Sequence, residues 1–516
     1  MLKISYHWHI CFVAALLTCF ANSYFFALIS PSLSWGELVL VGVLLFSLLA
    51  LALEILCMRW TYKLVLPLIL LLAAGFSYSI NSLRTGVTPD LIYSILTANP
   101  REMQETINLS MILNLLLLCL VPSIFVWRIK SGQASWLRGC LLKFGILMGY
   151  TALVLVLWFG AIGKDLTFLF KKDRTLYYVV NPISPIRSFV QFLGDQGRKH
   201  LSYTQVGLDA RLESSSRPKF IVFVIGESAR GMNFSLNGYK QNTNPLLAKE
   251  ASLVSFRHFS SCGVITAISV PCMLTDYTHK TYTKRYLSDF RDNILDITQR
   301  VGIQTYYIGN NGGGCIGNIC VRLPKEHVKF YNDGNLDGVM LEDLSAIAKT
   351  AKGDTFVILH QMGSHGQSYY KRYPKEFARF TPTCNSAQIQ DCSHESLINT
   401  YDNTILYTDF FLKESIQRLK QLQNRFDVML WYVSDHGESL GESGMYMHGG
   451  LPYFLAPKTQ TQVPSIVWFG RGFEWAYKMM KPREDEELSQ DYVFHTLLGL
   501  FGIKTKARDS SLDLTH

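Results

Sequence analysis

The stretch Phe220-Ile221-Val222-Phe223-Val224-Ile225-Gly226-Glu227-Ser228 is a run of six β-branched or aromatic residues that stops at a glycine and an acid. Such a run has no polar face to turn to water, so it reads as a strand buried on both sides within a mostly parallel sheet. Similar runs occupy 305–308, 355–359 and 428–433, with helical stretches such as 402–423 between them. The strand–loop–helix rhythm predicts an α/β domain, an α/β/α sandwich, over residues 218–516. Ligands of such domains bind beyond the carboxyl ends of the strands. The residues just after each strand therefore carry the functional signal.

Three of these strands stop at residues able to hold a metal. Glu227 follows the first. Asp435 and His436 follow another in Trp431-Tyr432-Val433-Ser434-Asp435-His436-Gly437-Glu438. The third continues Leu359-His360-Gln361-Met362-Gly363-Ser364-His365-Gly366, and His448 lies further on in Met447-His448-Gly449-Gly450. Glu, Asp and His around an open coordination position are the ligands of a catalytic zinc site. A single strand-end Asp or His is more often a cap, but three such ends in one domain favour a site. The segment Ser261-Cys262-Gly263-Val264-Ile265-Thr266-Ala267-Ile268-Ser269-Val270-Pro271-Cys272 offers a nucleophile. Thr266 is expected at the start of a helix, where free N–H groups favour phosphate. A threonine hydroxyl becomes an attacking group when a divalent cation lowers its pKa. Taken alone, the segment leaves open a plain N-cap role for Thr266, with Ser269 as the rival nucleophile.

Upstream the composition changes. Hydrophobic residues make up 48% of the 516, ordinary for a soluble protein, but they are concentrated before residue 164. The runs 10–36, 64–83, 106–127 and 144–163 carry no charge, and 38–58 carries only Glu54. A helix needs about 20 such residues to cross the hydrocarbon core, so residues 1–163 are expected to form five transmembrane helices. The length of the first run and the four behind it argue against a cleaved signal peptide. Arg59, Lys63, Arg128, Lys130, Arg138 and Lys143 fill alternate short loops without an acid, whereas 31–37 has no base and 84–105 mixes both signs. The positive-inside rule then puts the N-terminus in the cytoplasm and everything after Gly163 outside. Residues 164–217 bridge the halves with apolar clusters broken by Lys171, Lys172, Arg174, Pro182 and Pro185. They read as short amphipathic helices on the membrane surface or as a linker packed on the soluble domain.

Of 11 cysteines, five fall in or beside the apolar runs without pairing, and six form close couples in the soluble half: Cys262 with Cys272, Cys315 with Cys320, Cys384 with Cys392. No CxxC spacing suggests a zinc cluster, so three disulfides in an oxidising compartment are expected. The net charge of +9 suits work beside anionic headgroups. It does not by itself indicate nucleic acid, and no recognition motif for nucleic acid occurs.

Together, Gly226-Glu227-Ser228, the 261–273 segment, Gly363-Ser364-His365-Gly366, Ser434-Asp435-His436-Gly437-Glu438 and His448 resemble the phosphoethanolamine transferase family of the alkaline phosphatase and sulfatase superfamily. The resemblance covers nearly the whole chain. It implies an alkaline-phosphatase-like domain outside the bacterial inner membrane, with Glu227, Thr266, Asp435 and His436 as zinc ligands and Thr266 as the residue that becomes phosphoethanolaminylated. It implies that His365 and His448 bind the donor headgroup or a second zinc and assist proton transfer. Asn99 and Glu102 of the external loop Asn99-Pro100-Arg101-Glu102 are implied at the substrate. The donor would be phosphatidylethanolamine, the acceptor lipid A or another lipopolysaccharide phosphate or sugar, and the protein a monomer. Two positions depart from the family pattern, Ala98 in place of threonine and Ile316 after Cys315 in place of lysine. Neither touches the ligand set. Transfer to another periplasmic glycan, and a membrane-anchored sulfatase or phosphodiesterase, are the neighbouring activities; the sulfatase Cys-x-Pro-x-Arg motif is absent around Thr266. A non-catalytic sensor would have lost one or more of the four ligands, and all four are present.

Overall fold

A computed structural model describes residues 3–98, 100–131, 135–196, 201–312, 314–331 and 334–516. The chain folds as two compact units, one of Met1–Tyr93, Ile107–Asp195 and Ser443–Leu451, the other of Ser94–Thr106, Gln196–Glu442 and Pro452–His516.

The first unit is helical. Helices α1 (Tyr6–Phe20) and α2 (Ser23–Ile29) share the first apolar run. They are followed by α3 (Trp35–Leu56) and α4 (Tyr62–Asn81). Helix α5 (Pro100–Thr106) belongs to the second unit. Beyond it come two long helical stretches, α6 (Leu109–Arg128) and α7 (Trp136–Lys172), and then α8 (Ile183–Gln196). Among the described residues four helices, α3, α4, α6 and α7, are long and apolar enough to cross a bilayer, and the bent pair at the N-terminus makes up to five.

The first run is thus not the single straight helix that its lack of charge suggests. It bends by 54° between Phe20 and Ser23. Nδ2 of buried Asn22 donates to the Leu17 carbonyl at 3.0 Å, and the side chain exchanges hydrogen bonds with the Asn181 backbone at 2.7 and 2.8 Å. A side chain that competes for the helix's own carbonyl is a recognised cause of such a break. A capping box at Ser34 and Glu37 starts α3. The last span also differs from the 144–163 run, because α7 continues beyond both of its ends. Residues up to Asp195 belong to the first unit. On α8, Ser184, Ser188 and Phe192 are buried while Ile183, Ile186, Val190 and Leu193 are exposed.

The second unit is built on a seven-stranded sheet. Its strands in chain order are β1 (Lys219–Gly226), β2 (Leu253–Phe256), β3 (Gln304–Gly309), β4 (Val328–Phe330), β5 (Thr355–His360), β6 (Asp427–Ser434) and β7 (Ser465–Phe469). The order across the sheet is β2-β7-β6-β1-β5-β3-β4, with β7 alone antiparallel to its neighbours. Both faces are covered. Ile221, Phe223, Ile225, Met429, Trp431 and Val433 enter the main core, while Phe220, Val222 and Val224 are buried on the opposite side. This is why the central strands read as unbroken apolar runs.

Helix α9 (Thr266–Met273) follows β2, and the helix expected over 402–423 is α10 (His394–Lys420). Its start lies earlier because its first half buries polar residues. The Asp402 carboxylate accepts from Asn233 Nδ2 at 2.7 Å and Tyr239 Oη at 2.9 Å, and Tyr401 Oη donates to the Ser228 carbonyl at 2.6 Å. A buried face made of hydrogen-bonded polar groups gives no apolar period to detect. The six paired cysteines form Cys262–Cys272, Cys315–Cys320 and Cys384–Cys392, while Cys11, Cys19, Cys57, Cys119 and Cys140 are free.

Candidate active site

Strand register brings the chemistry together. Gly226 pairs with Ser434, Ile225 with His360, and Gly309 with His360, so β1, β6, β5 and β3 end side by side. The residues just beyond them emerge as neighbours. Gly226 must be glycine, since a Cβ there would run into the Tyr432 ring. Gly363 adopts φ +52°, and a Cβ would meet the Glu227 carbonyl at 2.7 Å. The backbone of the His365 loop thereby lies against the Glu227 backbone, and Ser364 N donates to that carbonyl at 3.0 Å.

Glu227, Asp435 and His436 are fully buried, and one ligand atom from each lies within 4.8 Å of the others. His436 Nδ1 donates to the Gly437 carbonyl at 2.8 Å, which leaves the Nε2 lone pair turned inward. Nε2 is 3.2 Å from Asp435 Oδ2 and 3.4 Å from Glu227 Oε1. Asp435 Oδ1 accepts from the Ser228 and His436 amides at 3.0 and 2.7 Å, whereas buried Oδ2 has no hydrogen-bond partner. Thr266 is the first residue of α9, capped by Ile265 rather than by its own side chain. Its Oγ1 is therefore free to donate to Glu227 Oε2 at 3.1 Å, and lies 3.4 Å from His436 Nε2. Ser269 is buried and its Oγ accepts from the Gly263 amide at 3.0 Å, tying it to the disulfide loop.

Electrostatically the cluster is unbalanced. Burial, and then the negative charge of Glu227, push Asp435 well above the usual carboxylate range. Burial acts on Glu227 in the same sense, but the hydrogen bond and charge of His365 hold it well below that range. Two buried carboxylates, an inward imidazole lone pair and an orphaned carboxylate oxygen are a donor set that a divalent cation would satisfy.

Two residues that support the cluster, Asn311 and Asp337, were not evident from the sequence. Asn311 Nδ2 donates to Glu227 Oε2 at 2.6 Å and to His360 Nε2 at 3.0 Å. The imidazole proton must then sit on His360 Nδ1, facing Tyr307 Oη at 2.8 Å. Burial lowers the pKa of His360 to about 4, which keeps it a neutral acceptor. A signal existed, since Asn310-Asn311 directly follows a strand, but amides do not announce a metal site. Buried Asp337 was equally silent. Its carboxylate accepts from the amides of Met362 and Gly363 at 2.8 and 3.0 Å and fixes the loop leading to His365.

His365 Nδ1 is 3.3 Å from Glu227 Oε1. Its carbonyl accepts from Arg372 Nε at 2.7 Å, and Arg372 Nη2 reaches Glu105 Oε2 on α5 at 2.5 Å. A loop between two membrane helices in sequence is thus tied to the His365 loop. His448 is carried by Ser443–Leu451, in the first unit. That segment is stitched to its own unit by Tyr446 N to the Leu83 carbonyl at 3.0 Å and Thr88 Oγ1 to the Gly449 carbonyl at 2.9 Å. Asn99 lies outside the described residues, and for Glu102 the described backbone places only its position on α5.

A mostly parallel-sheet domain with carboxylates and histidines at adjoining strand ends, in a chain that also folds a bundle of apolar helices, defines a membrane protein of the sulfatase class. Comparison with known proteins agrees. Residues 219–503 match the Sulfatase family model, and 45–196 match the model for Phosphoethanolamine transferase EptA/EptB. The chain belongs to the phosphoethanolamine transferase family. It is 35% identical over 489 residues to phosphoethanolamine transferase EptA of Escherichia coli K12, covering 92% of this chain and 88% of that one. It is 32% identical to phosphatidylethanolamine transferase Mcr-1 of Escherichia coli, covering 95% and 94%. Among solved structures, the integral membrane lipooligosaccharide phosphoethanolamine transferase A of Neisseria meningitidis superposes with a TM-score of 0.92 at 29% identity, over 99% of both chains.

Proposed function

We propose that this protein transfers phosphoethanolamine from phosphatidylethanolamine to lipid A, or to another lipopolysaccharide phosphate or sugar, by double displacement through Thr266. The observation that carries the proposal is the Thr266 hydroxyl at the head of α9, 3.1 Å from Glu227 Oε2 and 3.4 Å from His436 Nε2. In the first step Thr266 Oγ1 gives up its proton and bonds to phosphorus, the phosphorus–oxygen bond to diacylglycerol breaks, and the leaving oxygen takes a proton. In the second an acceptor oxygen loses a proton, bonds to the same phosphorus and displaces Thr266, whose oxygen takes a proton back. His365, and His448 as the family resemblance implies, are assigned to these proton exchanges. Asn99 and Glu102 are assigned to the donor headgroup, and Asn311 to orienting Glu227. Glu227, Thr266, Asp435 and His436 would hold a zinc ion, whose Lewis acidity favours the ionised hydroxyl and neutralises charge on the transferring group.

In this enzyme residues 1–163 are the membrane domain, 164–217 the interfacial connection and 218–516 the catalytic domain. The N-terminus lies in the cytoplasm and catalysis takes place in the periplasm, by a monomer in the inner membrane beside both lipids. The excess of bases in alternate loops and the three disulfides support that sidedness. An added amine on the acceptor reduces its negative charge and weakens capture of cationic peptides such as polymyxin. Mass spectrometry of lipopolysaccharide from cells with and without the gene tests the proposal. Added phosphoethanolamine confined to lipid A is the expected outcome, and identical spectra with the protein expressed would reject it.

Glu105→Gln tests the tie between α5 and the His365 loop. Removing one charge from a pair whose side chains are 10% and 6% exposed is expected to lower transfer about tenfold. Zinc content should stay at the wild-type level, because no proposed ligand is touched. Unchanged transfer would show that the tie does not position His365.

A further inference from the structure

In the first unit, where α1 begins, α3 ends and α7 begins, the helices leave a cavity of about 470 Å³. One wall is the apolar surface of α7, with Leu142, Ile146, Gly149 and Leu153. The opposite wall holds Ser5, His7 and Glu54. Glu54 is the acid inside the 38–58 apolar run, and its two oxygens lie 2.8 and 2.9 Å from His7 Nδ1. An ionisable group within a membrane span is costly unless paired, and such groups mark ligand or ion sites. The Glu54 side chain has no exposure, while that of His7 keeps 8%. An occupant therefore meets the imidazole edge, which the carboxylate fixes in orientation through Nδ1.

The surroundings are cationic. Lys143 Nζ donates to the Cys57 carbonyl at 2.8 Å and Lys63 Nζ to the Trp127 carbonyl at 2.9 Å, which places both at this end of the bundle with Arg59 and Arg138. Against these bases, Glu54 is the single acid within residues 1–11, 38–67 and 121–149. An apolar slot with an oriented imidazole at its polar side and bases around it matches an acyl chain ending in a phosphate.

We propose that this cavity binds one phospholipid, its acyl chain along α7 past Gly149 and its phosphate against His7 and the neighbouring bases. The site lies in the first unit, whereas Glu227, Asp435 and His436 all belong to the second.

Gly149 supplies the test. A Cβ there meets nothing within 4 Å, so Gly149→Phe fills the slot without displacing backbone. Gly145 is equally open but does not line the cavity, and Gly145→Phe is the matched control. Native mass spectrometry of the full-length protein, incubated with dioleoyl phosphatidylglycerol or with dioleoylglycerol, reads occupancy. The wild type and Gly145→Phe are expected to retain one phosphatidylglycerol, and Gly149→Phe to bind it about tenfold more weakly. His7→Gln should weaken phosphatidylglycerol about tenfold and leave dioleoylglycerol unchanged; it carries the test if Gly149→Phe does not fold. Equal retention of phosphatidylglycerol by the variants and the wild type would overturn the proposal. Equal retention of the two lipids by the wild type would also overturn it, since the phosphate would then contribute nothing.

Discussion

Thr266→Ala is expected to lower phosphoethanolamine transfer by at least about 1,000-fold, the scale on which loss of a covalent nucleophile acts. The fold should not suffer, because Thr266 caps nothing and its helix begins from Ile265. Thermal unfolding is expected to stay within about 0.5 kcal/mol of wild type. Ser269→Ala separates the rival hydroxyl in the same segment. It removes a buried hydrogen bond to the Gly263 amide, so it should cost about 1 kcal/mol of stability and leave transfer largely intact. Transfer measured on lipid A extracted from cells expressing each variant at equal level distinguishes the two. Normal transfer by Thr266→Ala would remove Thr266 as the attacking group.

The second large effect concerns the cation. Dialysis against a chelator is expected to abolish transfer, and added zinc to restore it. Asp435→Asn should retain less than about one-tenth of the wild-type zinc, because it alters a carboxylate whose Oδ2 has no other hydrogen-bond partner. Atomic emission on the purified protein reads zinc content independently of activity. Full zinc loading in Asp435→Asn would place the ion elsewhere. Full activity in protein shown to be metal-free would end the metal hypothesis.

Physical signal strength decided how much of this molecule was legible in its sequence. The central strands β1, β5 and β6 were readable because both of their faces are buried, which leaves an unbroken apolar run too short to be a membrane span. Glu227, Asp435 and His436 stood out because charged groups right after such runs are rare. Asn311 did not, since an amide carries no ligand signature, and only register shows that it adjoins Glu227 and His360. The bend in the first apolar run was hidden for a related cause. One Asn in a charge-free run changes little in hydropathy, and its effect depends on Asn181, which is 159 positions away. The exchange of segments between the two units was also out of reach. Glu105 looked like one more loop charge until Arg372 linked it to the His365 carbonyl. Ser443–Leu451 likewise gives no sequence hint that it packs beside Leu83 and Thr88.

The central claim is that Thr266 bonds to lipid phosphorus during turnover. Incubating the zinc-loaded protein with phosphatidylethanolamine, without acceptor, and mapping its peptides by mass spectrometry tests this most directly. The predicted result is phosphoethanolamine on Thr266, lost again when lipid A is added. Modification of Ser269 instead, or an unmodified protein that still releases diacylglycerol in step with transfer to lipid A, would contradict it.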